Sequence, residues 1–124
     1  MSTILISIKP TYVKKILNGQ KKYEYRKIKA KKKKIEKMII YATSPVKLVV
    51  AEAEIKRVLE GSPKKIWEQT KKESGVTKKF YDSYYKNSSK AIAYELDKIK
   101  IYETPQKLEN LGINNAPQSF IYLD

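Results

Sequence analysis

The stretch NGQKKYEYRK at residues 18–27 places one carboxylate, that of Glu24, among basic side chains. If this stretch is a strand, Glu24 and Arg26 lie on the same face and can form a charge-assisted pair. The Glu24 carboxylate can also accept a hydrogen bond from a nucleobase amino group, and Arg26 can bind phosphate or a base edge. The alternative is a structural ion pair that only orders the mouth of the fold.

Lys21 lies three positions before Glu24, at a predicted corner between a helix and a strand. A lysine at such a corner can contact phosphate as a point charge. If burial and other cations lower its pKa, the neutral amine can act as a nucleophile or a base. Because Glu24 opposes that shift, the local chemistry favours binding over amine catalysis.

Other polar side chains are candidates for the same surface. Ser44 lies in the turn TSP, and the basic run at 31–34 would attract phosphate without reading sequence, the alternative being a solvated loop. The predicted nucleic-acid-binding residues are Lys9, Lys21, Lys22, Glu24, Arg26, Lys31, Lys32, Lys33, Lys34 and Ser44.

Helical spacing predicts that Tyr81, Tyr84 and Tyr85 are core residues, with base stacking as the alternative.

Composition limits the classes of function. The 124 residues include 27 Lys and Arg against 13 Asp and Glu, a net charge of +14, and neither His nor Cys. Such a charge is typical of a phosphate-binding surface, although a solvated Lys-rich surface is the alternative. Without His, Cys or an Asp/Glu cluster, we expect no metal and no cofactor. Without a membrane span or signal peptide, we expect a cytoplasmic protein with no membrane partner.

The basic charge is unevenly distributed. Residues 21–37 carry ten basic and two acidic side chains, whereas residues 91–124 carry three basic and five acidic ones. A local basic patch, rather than a uniform coat, is typical of a binding face.

Hydrophobic periodicity predicts alternating strands and helices. Pro10 suits a helix start and Asn18-Gly19 a helix end, while Ser62 and Thr77 are suitable N-caps. We predict helices at 10–17, 63–74 and 78–86, and strands at 3–8, 21–27, 37–42, 46–61 (bent or bulged), 91–103 and 118–123. This order predicts an α+β fold, a single domain over residues 1–124 built as a small β-barrel of five or six mostly antiparallel strands with short flanking helices.

The segment GQKKYEYR fits the signature G-x-K-x-x-E-x-R through Gly19, Lys21, Glu24 and Arg26. SIKP precedes it, and IIYATSPVKLVVAEAEI, EGSPKKIWEQTKKESGV and APQSFIYL follow it. In this order the chain resembles the ASCH domain family of the PUA-like superfold, over about residues 3–123. The resemblance implies a PUA-like β-barrel with a cleft lined by the signature, the preceding helix and loops across the barrel.

The resemblance also implies classes of function. The ASCH family is usually described as RNA-binding, and some members look like nucleases. One small branch hydrolyses amides on acylated cytidines with a Lys, a Thr and a Glu, and these positions correspond to Lys21, Glu24 and, more loosely, Glu73. Because a carboxylate cannot simply replace a hydroxyl nucleophile, position 24 departs from that branch.

We therefore predict a nucleic-acid-binding ASCH module, with RNA or another single strand as the partner and a base or short single-stranded segment in its basic cleft. The alternative is an enzyme acting on RNA or a modified nucleoside, a ribonuclease or an acylcytidine amidohydrolase, with Lys21, Glu24 and Glu73 as catalytic residues. A third hypothesis is a small-ligand or regulatory domain whose charge serves solubility alone.

Overall fold

A mixed β-sheet forms the centre of the structure. The computed structural model describes residues 2–31 and 34–123. In chain order its elements are β1 (Ser2–Ile8), α1 (Pro10–Leu17), β2 (Tyr23–Arg26), β3 (Ile35–Ala42), β4 (Leu48–Gly61), α2 (Pro63–Thr70), α3 (Lys78–Tyr84), β5 (Ala91–Gln106) and β6 (Phe120–Tyr122). Short 3₁₀ turns occupy Lys71–Glu73 and Leu108–Leu111.

The strands lie side by side in the order β2-β5-β4-β3-β1-β6. The β1–β3 pair is parallel and the other four pairs are antiparallel. The sheet curls into a half-barrel that carries three short helices, which confirms the predicted α+β class and the mostly antiparallel pairing.

The curl brings the two ends of the sheet together. β2 is the first strand of the sheet, and β1 and β6 are the last two. Nevertheless, the Arg26 guanidinium on β2 donates from Nη2 to the carbonyl oxygen of Ser7 on β1, at 2.8 Å. Its Nη1 also donates to Ser119 Oγ, just before β6, at 3.4 Å. We call this junction of Arg26 with Ser7 and Ser119 the seam.

The first strand is buried on both faces, as its continuous apolar run predicts. Ile4 and Ile6 belong to the main core, together with Val13 and Ile16 of α1. Leu5 points to the opposite face and packs in a second cluster of apolar side chains. The helix that begins at Pro10 is therefore fixed against the sheet on its Val13 and Ile16 side.

A third apolar cluster fixes the position of β2. Tyr23 and Tyr25 pack with Tyr81 and Tyr85 of the α3 region. The Tyr85 hydroxyl donates to the carbonyl oxygen of Arg26 at 2.9 Å. Tyr81 and Tyr85 are buried as predicted, whereas Tyr84 is only partly buried. With the tyrosines of β2 against the helices, Glu24 and Arg26 lie on the other face of the strand.

The element boundaries differ most from the predictions in two places. β5 continues to Gln106, beyond the predicted end at 103, because β4 is a single long strand and Val49 pairs with Gln106. The predicted helix at 63–74 divides into α2 and a 3₁₀ turn. The predicted caps are confirmed: Ser62 Oγ accepts from the Lys65 amide at 3.2 Å and Thr77 Oγ1 from the Phe80 amide at 3.0 Å.

Candidate functional site

A cavity of about 430 Å³ opens beside the seam. Lys21, Glu24 and Arg26 are the buried or partly buried charged residues of its lining, and we call them the charged cluster. The other lining residues are Ser7, Ile8, Lys9, Tyr12, Tyr25, Thr43, Val76, Phe80, Tyr84, Pro117 and Gln118. Apolar and aromatic walls with a few converging polar groups are typical of sites for small organic ligands.

Arg26 and Glu24 form the pair that the strand alternation predicts. Nε and Nη2 of Arg26 donate to the same carboxylate oxygen, Oε2, at 3.1 and 2.8 Å. Because Nη2 also donates to the Ser7 carbonyl, the guanidinium is held from two sides. Glu24 is 7% exposed, so the pair is largely withdrawn from water and its two charges interact more strongly than at the surface.

Lys21 is a buried ammonium group, with only 3% of the residue exposed. Its Nζ donates to the Ser74 carbonyl oxygen at 2.9 Å and lies 3.9 Å from Glu24 Oε1. The Tyr25 ring centroid is 4.7 Å away, a favourable distance for a cation–π contact. Burial lowers the Lys21 pKa from 10.5 to about 8; Glu24 opposes this shift, and Arg26 and Lys15 add to it.

A glycine makes room for the Lys21 side chain. Gly75 has φ +68°, and a Cβ built on it would lie 2.3 Å from the Lys21 Cβ. The carbonyl oxygens of Gly75 and Ser74 accept from Lys15 and Lys21, at 3.1 and 2.9 Å. The loop after the 3₁₀ turn therefore folds over Lys21 at a distance that a side chain at position 75 would prevent.

Aromatic side chains from α1 and α3 form one wall of the cavity. The Tyr12 and Phe80 ring centroids are 5.3 Å apart, and Phe80 and Tyr84 stack at 6.1 Å with 13° between their planes. Lys27 Nζ lies 4.9 Å from the Tyr84 ring centroid. We call Tyr12, Phe80 and Tyr84 the aromatic wall. Tyr12 and Phe80 are not among the residues predicted from the sequence. The apolar ring of Phe80 directly after Lys78 and Lys79 is the signal that could have identified it.

The structure brings together only some of the predicted site residues. Lys9, the residue before α1, lines the cavity with the charged cluster and is otherwise exposed. Ser44 is exposed and does not line the cavity, whereas its neighbour Thr43 does. Lys31 and Lys34 are exposed and lie outside the lining. The predicted contacts of Lys32 and Lys33 fall outside the described residues.

Lys22 and Glu73 lie outside the cavity lining. The Lys22 ammonium is 2.9 Å from Glu73 Oε2, and about half of each side chain is exposed. Glu73 does not line the cavity, so the structure does not bring it together with Lys21 and Glu24. The physical reason is local: the Lys22 amide donates to the Glu73 carbonyl oxygen at 2.9 Å, and the Glu73 side chain follows Lys22 outward.

The described residues contain neither a cluster of metal ligands nor a helix that could cross a membrane. Within residues 2–31 and 34–123, no group of three or more His, Cys, Asp or Glu side chains is arranged to hold a metal ion. Across the same ranges, every helix is too short or too polar to cross a membrane.

Comparison with known proteins assigns the family. Residues 1–115 match the sequence profile of the family described as "Domain of unknown function (DUF365)". The chain belongs to the DUF365 family. The crystal structure of ASCH from Zymomonas mobilis superposes on this DUF365 chain with a TM-score of 0.89 and 27% identity, over 98% of this chain and 87% of that one. The fold is that of an ASCH domain, which confirms the resemblance found in the sequence.

Curated relatives extend the comparison. The chain is 29% identical over 122 residues to the "ASCH domain-containing ribonuclease" of Zymomonas mobilis, covering 96% of this chain and 82% of that protein. It is also 36% identical over 90 residues to the "Large ribosomal subunit protein uL22" of Ureaplasma parvum, covering 73% of this chain. The match spans only 29% of that second protein, so the similarity concerns a part of it.

Proposed function

We propose that residues 1–124 act as one nucleic-acid-binding domain, which takes a base of single-stranded RNA into the cavity beside the charged cluster. The observation that carries the proposal is a nearly buried carboxylate with one engaged oxygen, set beside an aromatic wall in a strongly basic chain. A cytoplasmic location accords with this partner.

Glu24 supplies the acceptor of the proposed site. Its Oε2 is occupied by Arg26, whereas Oε1 makes no hydrogen bond to another described residue and has Lys21 Nζ at 3.9 Å. Oε1 can therefore accept from a base amino group, such as those of adenine or cytosine. Lys21 can donate to a base or ribose oxygen in the same cavity.

Aromatic and basic groups supply the rest of the binding energy. The aromatic wall offers π faces on which a base stacks without regard to its identity. Lys9, exposed at the cavity edge, can contact a phosphate. The relative named as a ribonuclease supports RNA, rather than another polyanion, as the partner.

Anisotropy of a labelled oligoadenylate tests this proposal across a series of salt concentrations. Lys21→Met keeps the side-chain length but removes the charge, and we expect it to weaken binding about tenfold. Lys22→Met, an identical change at the adjacent exposed position, is the matched control and should change affinity by less than about twofold. Equal effects of the two variants would leave only a diffuse electrostatic attraction and contradict a site in the cavity.

A second candidate function is RNA cleavage. Two observations favour it: the name of the Zymomonas mobilis relative and the Lys21 pKa of about 8, which gives a usable fraction of neutral amine. In that reaction Lys21 takes the proton of a ribose 2′-hydroxyl, and the 2′-oxygen attacks the adjacent phosphorus. The 5′-oxygen leaves with a proton from water, and a 2′,3′-cyclic phosphate remains. Arg26 would stabilise the added negative charge.

Denaturing gels of the same oligonucleotide distinguish binding from cleavage. Fragments with 2′,3′-cyclic phosphate ends, present with wild type and Lys22→Met but absent with Lys21→Met, would establish the ribonuclease. If the RNA stays intact while binding is saturated, the chain binds RNA without cleaving it. An acylated cytidine in parallel reactions tests the amidohydrolase alternative, for which the chain has Glu24 at the position of the expected hydroxyl.

A further inference from the structure

We infer that Phe80 is a stacking platform for a second base, so that the site takes two adjacent unpaired nucleotides rather than one. This inference rests on the proposed function, because the first base is the one held in the cavity. It adds a residue that determines the class of ligand: a strand with consecutive bases, as opposed to a free nucleoside.

The exposure of Phe80 is the first observation. Among the aromatic side chains of the described residues, all the others are buried or partly buried, and Phe80 alone is exposed, at 37%. Of the large exposed apolar side chains, which also include Ile28, Val46, Ile101 and Leu111, only Phe80 lines the cavity. An isolated exposed apolar residue is ordinary, but an aromatic one at the edge of a binding cavity marks a contact surface.

The packing of the aromatic wall leaves Phe80 as its accessible member. Tyr84 is stacked against Phe80 and also lies beside the Lys27 ammonium. Tyr12 lies between Phe80 and Lys21, whose Nζ is 5.7 Å from the Tyr12 ring centroid. Both tyrosines are partly buried, whereas Phe80 is exposed, so we expect an incoming base outside the cavity to meet Phe80 first.

The backbone of Phe80 is anchored, and two exposed lysines lie close to it in the cavity lining or in the chain. The Thr77 cap accepts from its amide, and the following residue, Tyr81, is 2% exposed and anchored in the core. A backbone that is already fixed loses little further conformational entropy when a base stacks on the side chain. Lys79 and Lys9 are exposed and have no acidic partner among the described residues, so they are available to the phosphates that join two nucleotides.

Two RNA probes of equal charge test the inference by fluorescence anisotropy. One is a short oligoadenylate; the other has every second base removed, which keeps all phosphates and many single bases but no two adjacent bases. Wild type should bind the alternating abasic strand about tenfold more weakly than the intact strand. Phe80→Ala should bind both strands with affinities within about twofold of each other, close to wild type on the abasic strand.

Variants separate stacking from packing. Phe80→Trp should retain the preference for the intact strand, whereas Phe80→Leu, which can still pack against Tyr12, should lose it. If wild type binds both strands equally while Lys21→Met weakens both, the second platform is wrong and the cavity site stands. If Lys21→Met has no effect on either strand, the proposed function itself fails.

Discussion

Lys21 and Lys22 are neighbours of the same residue type, and each lies beside a glutamate, yet they occupy opposite environments. Lys21 is 3% exposed, and burial lowers its pKa to about 8. Lys22 is exposed, and its hydrogen bond to Glu73 raises its pKa. Since the two side chains have the same chemistry, the difference between their pKa values comes from the residues that surround each ammonium group.

The comparison shows what a buried cation requires. Lys21 has a carbonyl acceptor, an aromatic ring and a loop closed over it at Gly75. Together with Glu24 these contacts offset only part of the cost of removing the ammonium from water, which is why its pKa is low. Lys22 keeps its hydration and gains little from its partner. Buried charges with shifted pKa values are enriched at functional sites, whereas exposed ion pairs occur anywhere on protein surfaces.

The largest expected effect breaks the enclosure of Lys21. Gly75→Ala adds a Cβ that meets the Lys21 Cβ at 2.3 Å and strains a backbone at φ +68°. We expect the free energy of unfolding in urea to fall by roughly 2–4 kcal/mol. Gly19→Ala is the control, because Gly19 also has a positive φ but has no atom within 4 Å of the added carbon. Equal losses in the two variants would mean that Lys21 moves aside freely.

Removing the Lys21 charge should stabilise the fold. The folded-state pKa of about 8 lies below the ordinary 10.5, so between these values the unfolded chain binds more protons and stability rises with pH. Below about pH 8 the charged form costs up to roughly 3 kcal/mol, part of which Lys21→Met recovers. Urea unfolding should show a gain for Lys21→Met near neutral pH that shrinks towards pH 10.5. If the free energies of unfolding of the two proteins change with pH in parallel, burial does not destabilise the charged form of Lys21.

RNA affinity should depend on pH through Lys21 and not through Lys22. Wild type loses the Lys21 positive charge as pH rises through about 8, so its affinity for an oligoadenylate should fall several-fold between pH 7 and 9.5. Lys22→Met should show the same fall, and Lys21→Met should show none. A fall that survives in Lys21→Met would assign the titration to another group.

The smallest expected effect concerns the exposed pair. Glu73→Gln removes the charge partner of Lys22 at a position where both side chains are half-exposed. We expect no measurable change in the urea midpoint and less than about a twofold change in RNA affinity or cleavage. Loss of cleavage in Glu73→Gln, with the fold intact by circular dichroism, would restore Glu73 to the catalytic residues.

Local patterns predicted most of the fold. The caps at Ser62 and Thr77, the glycine after α1 and the alternation in β2 each depend on near neighbours, so the sequence reports them directly. The extension of β5 to Gln106 does not follow from the local sequence, because Gln106 pairs with Val49, which lies far away along the chain. Strand pairing of this kind depends on the length of another element and leaves no local signature.

The site divides in the same way. Glu24 and Arg26 are two positions apart on one strand, and their pairing follows from spacing alone. The position of the Glu73 carboxylate depends on how one loop orients that side chain. The spacing of residues in the sequence does not predict this orientation. Tyr12 and Phe80 meet across two helices, so their contact appears only once the helices are packed. Gly75 could be recognised as a turn residue, but not as the residue that makes room for Lys21.

The seam affects how binding of a ligand in the cavity can be detected. The lining of the cavity runs from Ser7 to Gln118, and the cavity opens where the two ends of the sheet meet, so only a nearly full-length chain can form it. A ligand that requires the assembled seam binds the native chain and not the unfolded one. Thermodynamic linkage then raises the free energy of unfolding by about 2.7 kcal/mol at a ligand concentration a hundredfold above Kd, and the melting temperature rises with ligand concentration. Thermal denaturation of the unlabelled protein would therefore report the chemistry of its natural ligand from a panel of nucleotides.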